Sequence, residues 1–259
     1  MNNLNVFREK IAGKRLCVGS IVTLSDPAIS ELNAEVGYDF TWIDLEHAPL
    51  GIEAALGHVM AARGTEMAPF IRVPGNEFNI IKPLLELAPA GIIIPMVNTK
   101  ADALSAVQSC RYPPIGRRGC GPRRGMRFGA MPFEQYLRQS EHDPLIIVQI
   151  EDIAAMSELD EILAVEGIGS ICVGPYDLSG SMGKLGQVDD PEVAAVIDEI
   201  CRKTLAAGKM LGTATGFAPA NVQHWIDRGI QWLALNSECN NHFIYSRQIL
   251  DGVASIMMK

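Results

Sequence analysis

The stretch YDFTWIDLEHAPLG, residues 38–51, is apolar and aromatic through its first half and then places Asp44, Glu46 and His47 close together. A strand with one wet face alternates apolar and polar residues, whereas a strand covered on both faces stays apolar along its length. Residues 40–44 read as the second kind, ending on an acid. In α/β barrels the working residues gather where strands leave the core. The plainer alternative is that Asp44 or Glu46 caps the following helix.

Seven further runs share this character: residues 16–22, 68–73, 90–97, 145–150, 169–174, 209–214 and 231–236. Each is short, continuous and mostly aliphatic. Between or after them, residues 26–37, 52–64, 79–88, 101–110, 153–167, 191–208, 220–229 and 242–259 show the spacing of amphipathic helices, several closed by Gly. Eight strands alternating with helices predict a single-domain (β/α)8 TIM barrel over residues 1–259, in preference to a doubly wound open sheet.

Composition narrows the function. The 259-residue chain is 48% hydrophobic and carries a net charge of −8, which argues against nucleic acid or an anionic membrane as partner. No apolar run reaches membrane-spanning length, and the start, MNNLNVFREK, lacks the apolar core of a signal peptide. Six scattered cysteines, without C-x-x-C or zinc spacing, read as the reduced thiols of a cytoplasmic protein.

Read in order, the strand exits carry Asp44, Glu46 and His47; Arg72; Gln149, Glu151 and Asp152; and Gly174, Pro175, Tyr176, Asp177 and Ser179. Glu151 and Asp177 come from neighbouring strands, and two hard oxygen ligands suit Mg²⁺ or Mn²⁺. Either acid alone reads more readily as a helix cap than as a ligand. Other motifs fail. RRGCGPRRG does not follow a strand, and SGSMGKLG lacks the first glycine and the Ser/Thr of a phosphate loop. Lys209 lies at a strand entrance, which weakens a Schiff-base mechanism.

WIDLEHAP, FIRVPGN, IIIPMV, RYPPIGRRGCG, VQIED and VGPYDLS, in this order, resemble the metal-dependent (class II) pyruvate aldolases of the HpcH/HpaI family, from about residue 16 to residue 180. After residue 210, LGTATG and LALNSE hold the right places but depart from the family wording. The resemblance implies reversible retro-aldol cleavage of a 4-hydroxy-2-oxo acid to pyruvate and an aldehyde. It implies a divalent metal (Mg²⁺, Mn²⁺ or Co²⁺) on Glu151 and Asp177, with Gln149 beside the ketoacid. His47 is then the acid/base residue, Asp44 the carboxylate orienting it, and Arg72 the group polarising the ketone. The turn Gly174, Pro175, Tyr176, Asp177 receives the substrate carboxylate through backbone amides, and Glu86 reaches a neighbouring subunit's site. Tyr176 replaces a smaller residue, and Glu46 is taken to hold the turn.

The same resemblance implies a homo-oligomer, a hexamer built as a trimer of dimers. The final helix, from about residue 241, would then be exchanged with a partner. The arginines 111, 117, 118, 123, 124 and 127 read as a solvated or salt-bridged loop, or alternatively as a lure for anionic substrates. The rival functions are another metal-dependent lyase reaction, such as oxaloacetate decarboxylation or acyl-CoA cleavage, and a non-catalytic ketoacid-binding barrel. The latter is disfavoured by the presence of the whole residue set.

Overall fold

The computed structural model describes residues 3–258. Met1, Asn2 and Lys259, included in the expected domain, lie outside the described residues. Eight parallel strands close into one barrel in sequence order. They are β1 (Cys17–Val22), β2 (Phe40–Asp44), β3 (Ala68–Arg72), β4 (Gly91–Ile94), β5 (Leu145–Ile150), β6 (Ile168–Val173), β7 (Met210–Thr215) and β8 (Trp232–Ser237). The helices are α1 (Leu4–Ala12), α2 (Ala28–Val36), α3 (Ile52–Ala61), α4 (Phe78–Leu85), α5 (Lys100–Cys110), α6 (Phe133–Ser140), α7 (Leu159–Leu163), α8 (Pro175–Ser181), α9 (Pro191–Ala206), α10 (Pro219–Asp227) and α11 (Glu238–Met257). The predicted barrel is therefore the observed one, and β2 and β5 match their predicted limits residue for residue.

Strand periodicity sorts the side chains into two cores. Ile43, Ile71, Ile92, Ile146, Val148 and Ile171 face outward and pack under the helices. Phe40, Trp42, Phe70, Ile93, Ile147, Cys172 and Trp232 face inward and fill the barrel. The inner layer is aromatic at the strand entrances. Phe40 and Phe70 stack at 5.2 Å, and Trp232 meets Phe40 edge-on at 5.6 Å. Glycines on neighbouring strands make the room: a Cβ on Gly212 would sit 1.7 Å from the Trp232 ring, and one on Gly91 would sit 2.7 Å from Phe70.

Helix α1, not anticipated from the sequence, closes this end. Its buried face, Leu4, Phe7 and Ile11, joins the inner core, with Phe7 4.9 Å from Phe70. The segment 153–167 is not one helix: a 3-10 turn capped by Asp152 precedes the short α7. No described helix is long and apolar enough to cross a membrane. The six cysteines are free, four of them buried.

Helix α11 begins at Glu238, earlier than predicted, under a capping box made by Ser237 and Asn240. It has no buried residue in the single chain. Phe243, Ile244, Ile249, Leu250, Val253, Ile256 and Met257 are all exposed.

The candidate active site

Continuing the inward parity of the strands past the aromatic layer gives the site. On β2 the inward residues run Phe40, Trp42, Asp44; on β3, Ala68, Phe70, Arg72; on β5, Leu145, Ile147, Gln149 and then Glu151. Asp44 and Arg72 are register partners across the β2–β3 pair. A charged pair so placed is buried by the strands and reaches solvent only through the barrel mouth.

Arg72 is 8% exposed and donates through one edge of its guanidinium, Nε and Nη2, to both oxygens of Asp44, with Nε 2.9 Å from Oδ1. Its remaining nitrogen lies 2.9 Å from Glu46, and the guanidinium sits 5.1 Å from the centre of the Trp42 ring. Burial works against the charge on Arg72. Hydrogen bonding and attraction from Asp44, with further help from Glu46 and Glu151, outweigh it and hold the pKa above its ordinary value.

Asp44 also accepts the backbone N–H groups of Glu46, at 3.0 Å, and His47, at 3.3 Å. It thus fixes His47 through the main chain, not through the ring. The imidazole is well exposed and its nearest acid is Glu46, 3.8 Å away. Glu46, expected to hold the turn, also pairs with Arg72. Its carboxylate faces the centre, between Arg72 and His47, and burial raises its pKa against the pull of Arg72.

Glu151 is 3% exposed, accepting from Met96 N–H at 2.7 Å and from Gln149 Nε2 at 2.7 Å. Burial pushes its carboxyl up to about 7; the Met96 hydrogen bond works the other way, and the charges of Glu46 and Asp177 add to the rise. Gly174 is required here, because a Cβ would lie 2.5 Å from Glu151 Oε2. Asp177 stands in the first turn of α8, which opens with Gly174 and Pro175, so the N–H groups of Tyr176 and Asp177 lie at the helix start. The opposite pole of the barrel holds Glu86. It follows α4, lies before β4, and accepts from Arg118 at 3.0 Å, away from this chain's own strand exits.

A divalent cation is compatible with this donor set. Asp44, Glu46, Glu151 and Asp177 place four carboxylates against one arginine, and Gln149 Oε1 is buried without a partner. All the donors are hard oxygens, as Mg²⁺ and Mn²⁺ require. Among the described residues no three His, Cys, Asp or Glu side chains form a cage. A cation held by Glu151 and Asp177 would have to take its remaining ligands from water and substrate.

The arginine run belongs elsewhere. It follows α5, so it lies at the strand-entrance end, and three of its members are buried. Arg111 donates to the carbonyls of Asp143 and Pro144, Arg118 to that of Leu85, and Arg124 to that of Leu87. These are structural ties and not an anion lure at this chain's mouth.

A model of the HpcH/HpaI aldolase/citrate lyase family matches residues 19–242, which span every side chain of this site. The chain belongs to that family. It is 37% identical over 237 residues to the 5-keto-4-deoxy-D-glucarate aldolase of Citrobacter koseri, covering 90% of each chain. It is 38% identical over 210 residues to the hydroxypyruvate/pyruvate aldolase of Deinococcus radiodurans, covering 80% of this chain and 75% of that one. Among solved structures, the HpcH/HpaI aldolase from Desulfitobacterium hafniense is similar with a TM-score of 0.89 at 26% identity, over 95% of each chain. This HpcH/HpaI member shares their barrel and is an enzyme of the aldolase class.

Two contributors were not read from the sequence. The Met96 N–H holds Glu151, and Met96 has a positive φ of 52°, a backbone state the residue string does not reveal. Glu238 accepts from Thr23 N–H at 2.7 Å, Thr23 Oγ1 at 2.9 Å and Leu24 N–H at 2.6 Å, fastening the β1 exit to the start of α11. An acid directly after the last strand was the available signal.

Proposed function

We propose that this chain cleaves 4-hydroxy-2-oxo acids reversibly to pyruvate and an aldehyde, with a divalent cation on Glu151 and Asp177. The observation that carries the reading is the buried acid surplus around Glu151 beside a fully charged, doubly anchored Arg72. When bound, such a cation supplies a Lewis acid toward the 2-oxo group and carboxylate of the ketoacid.

The chain's own residues do the rest. Arg72, locked by Asp44 and Glu46, presents a fixed positive charge where the enolate oxygen develops. The N–H groups at the start of α8 receive the substrate carboxylate, and Gln149 borders it. His47, exposed at the mouth, takes the C4 hydroxyl proton and returns it in the aldol direction. Glu46, next to the imidazole, stabilises the imidazolium that forms. Asp44 fixes both the arginine and the His47 backbone.

A homo-oligomer, specifically a hexamer in which α11 packs on a partner barrel, accounts for the exposed apolar side chains of α11. Glu86, remote from its own site and paired with Arg118, is the acid that such an assembly would bring toward a neighbour's.

The deciding experiment measures pyruvate release in EDTA and after addition of Mg²⁺, Mn²⁺ or Co²⁺, with borohydride added in parallel. Activity that needs the cation, without borohydride trapping, is expected. Full activity in EDTA with trapped pyruvate would overturn the reading.

A further inference from the structure

Four of the strand exits display an apolar side chain outward at the mouth. Leu24 follows β1, Met96 follows β4, Tyr176 follows β6 and Phe217 follows β7, and they are 46%, 48%, 55% and 62% exposed. One exposed apolar side chain is ordinary, but four on the loops that ring one barrel mouth give an apolar substrate something to cover. These loops are held firmly. Leu24 N–H donates to Glu238 at 2.6 Å, Met96 N–H to Glu151 at 2.7 Å, and Phe217 N–H to Asn236 Oδ1 at 2.9 Å. The carbonyl of Tyr176 accepts from Ser179 at 2.6 Å. Two of the four are joined to the candidate metal residues: Met96 by its bond to Glu151, and Tyr176 as the chain neighbour of Asp177.

Charge at the mouth runs one way. The segments leading from strand exits to the next helix, residues 23–27, 45–51, 73–77, 95–99, 151–152 and 216–218, contain no lysine or arginine. They contain Asp26, Glu46, Glu77, Glu151 and Asp152. Arg72, on β3 itself, is committed to Asp44 and Glu46. The flanking lysines are Lys100, the first residue of α5, and Lys184, which is paired with Asp190 and Glu192. A substrate with a second carboxylate on its aldehyde half would bring negative charge into an acidic rim without a cation set aside for it. An aryl or alkyl aldehyde would cover the apolar side chains and leave no charge unpaired.

We infer that the aldehyde half of the substrate is uncharged and apolar, bound between Tyr176 and Phe217 with Leu24 and Met96 at the edge. This sets the chain apart from its relative named for 5-keto-4-deoxy-D-glucarate, a name that denotes a diacid. The inference rests on the aldolase reading above.

The test uses the full-length protein loaded with Mn²⁺. Exchange of the pyruvate methyl protons in D₂O is followed first, without aldehyde, because it reports enolate formation alone. Aldol addition of pyruvate is then compared for benzaldehyde, hexanal, glyceraldehyde and succinic semialdehyde. The expected result is a kcat/KM for benzaldehyde and hexanal at least about tenfold above the other two, the scale on which an apolar pocket discriminates. Phe217→Lys, and independently Leu24→Lys on another loop, should each shift the ratio of benzaldehyde to succinic semialdehyde toward the anion by about tenfold. Both positions are exposed, so folding is not at stake. Exchange with a preference for succinic semialdehyde or glyceraldehyde would overturn this inference and leave the aldolase reading standing. A ratio unmoved by both lysines would remove these residues from the aldehyde site. Absence of exchange would overturn the aldolase reading itself, and this inference with it.

Discussion

Stripping the divalent cation should make the stability of this barrel fall as pH rises through neutrality, and Glu151 should be the main cause. Burial lifts its carboxyl from 4.5 to about 7. Below about pH 4.5 the group is protonated in both folded and unfolded chains; above about 7 it is ionised in both. Between these limits the folded chain holds the extra proton, so stability declines with rising pH across that window. Converted at one tenfold step per pH unit, full ionisation of the buried group costs about 3 kcal/mol. For a chain of this size that corresponds to roughly 6–12 °C in Tm. Glu46, raised in the same direction, adds to the slope. The assay is thermal unfolding in EDTA at pH 5 and pH 8, for wild type and Glu151→Gln. The substituted amide can accept from Met96 N–H, and a flip of the Gln149 amide turns its Oε1 to accept from the new NH2, so the change fits the space. Wild type should lose stability between the two pH values by about that amount more than the variant, and a divalent cation should restore wild type at pH 8. Equal pH slopes in the two proteins would refute the reasoning.

His47→Ala should lower aldol cleavage by about 10² to 10⁴ while leaving pyruvate affinity nearly unchanged, because it removes a proton carrier and not a ligand. Oxaloacetate decarboxylation has no hydroxyl proton to remove and should fall less; equal losses would make His47 a site organiser. Gly212→Ala should destabilise the fold by about 1–3 kcal/mol or more, read by urea unfolding, because its Cβ would meet the Trp232 ring at 1.7 Å. Ending the chain before about residue 241 should dissociate the proposed oligomer in sedimentation, since no residue of α11 is buried in its own chain; an unchanged assembly would disprove the exchanged helix.

The barrel was legible because its strands are covered on both faces, and a continuous apolar run of five or six residues has few other readings. FTWID and LIIVQI met their boundaries for that reason. Segment 153–167 misled because helical spacing continues across Ser157 and Glu158, where the backbone breaks from a 3-10 turn into α7. Helix α1 was missed because its value is tertiary: Leu4, Phe7 and Ile11 make sense only against rings on β2 and β3. In the site, parity alone put Asp44, Arg72, Gln149 and Glu151 inward. What parity could not give was pairing. Asp44 lies opposite Arg72 in the register and takes that partner, not the His47 ring. The arginine run carried two readings, a solvated or salt-bridged loop and a lure for anionic substrates, and its place in the chain order decides between them. A segment that follows a helix in an alternating barrel returns to the strand-entrance end, and there Arg111 and Arg124 bind carbonyls.

The closed aromatic floor has a consequence for how such an enzyme could acquire new substrates. Phe7, Phe40, Phe70 and Trp232 brace one another from below, and Trp42 leans on Trp232 at 6.2 Å while carrying Arg72 above it. The reactive charge is thus seated on the aromatic layer, whereas the loops around the mouth take their ties from Glu238, Glu151 and Asn236. Variation can range over Leu24, Met96, Tyr176 and Phe217 without loosening the seat. A change among the rings reaches the chemistry through the single face of Trp42, whatever aldehyde the mouth has come to prefer.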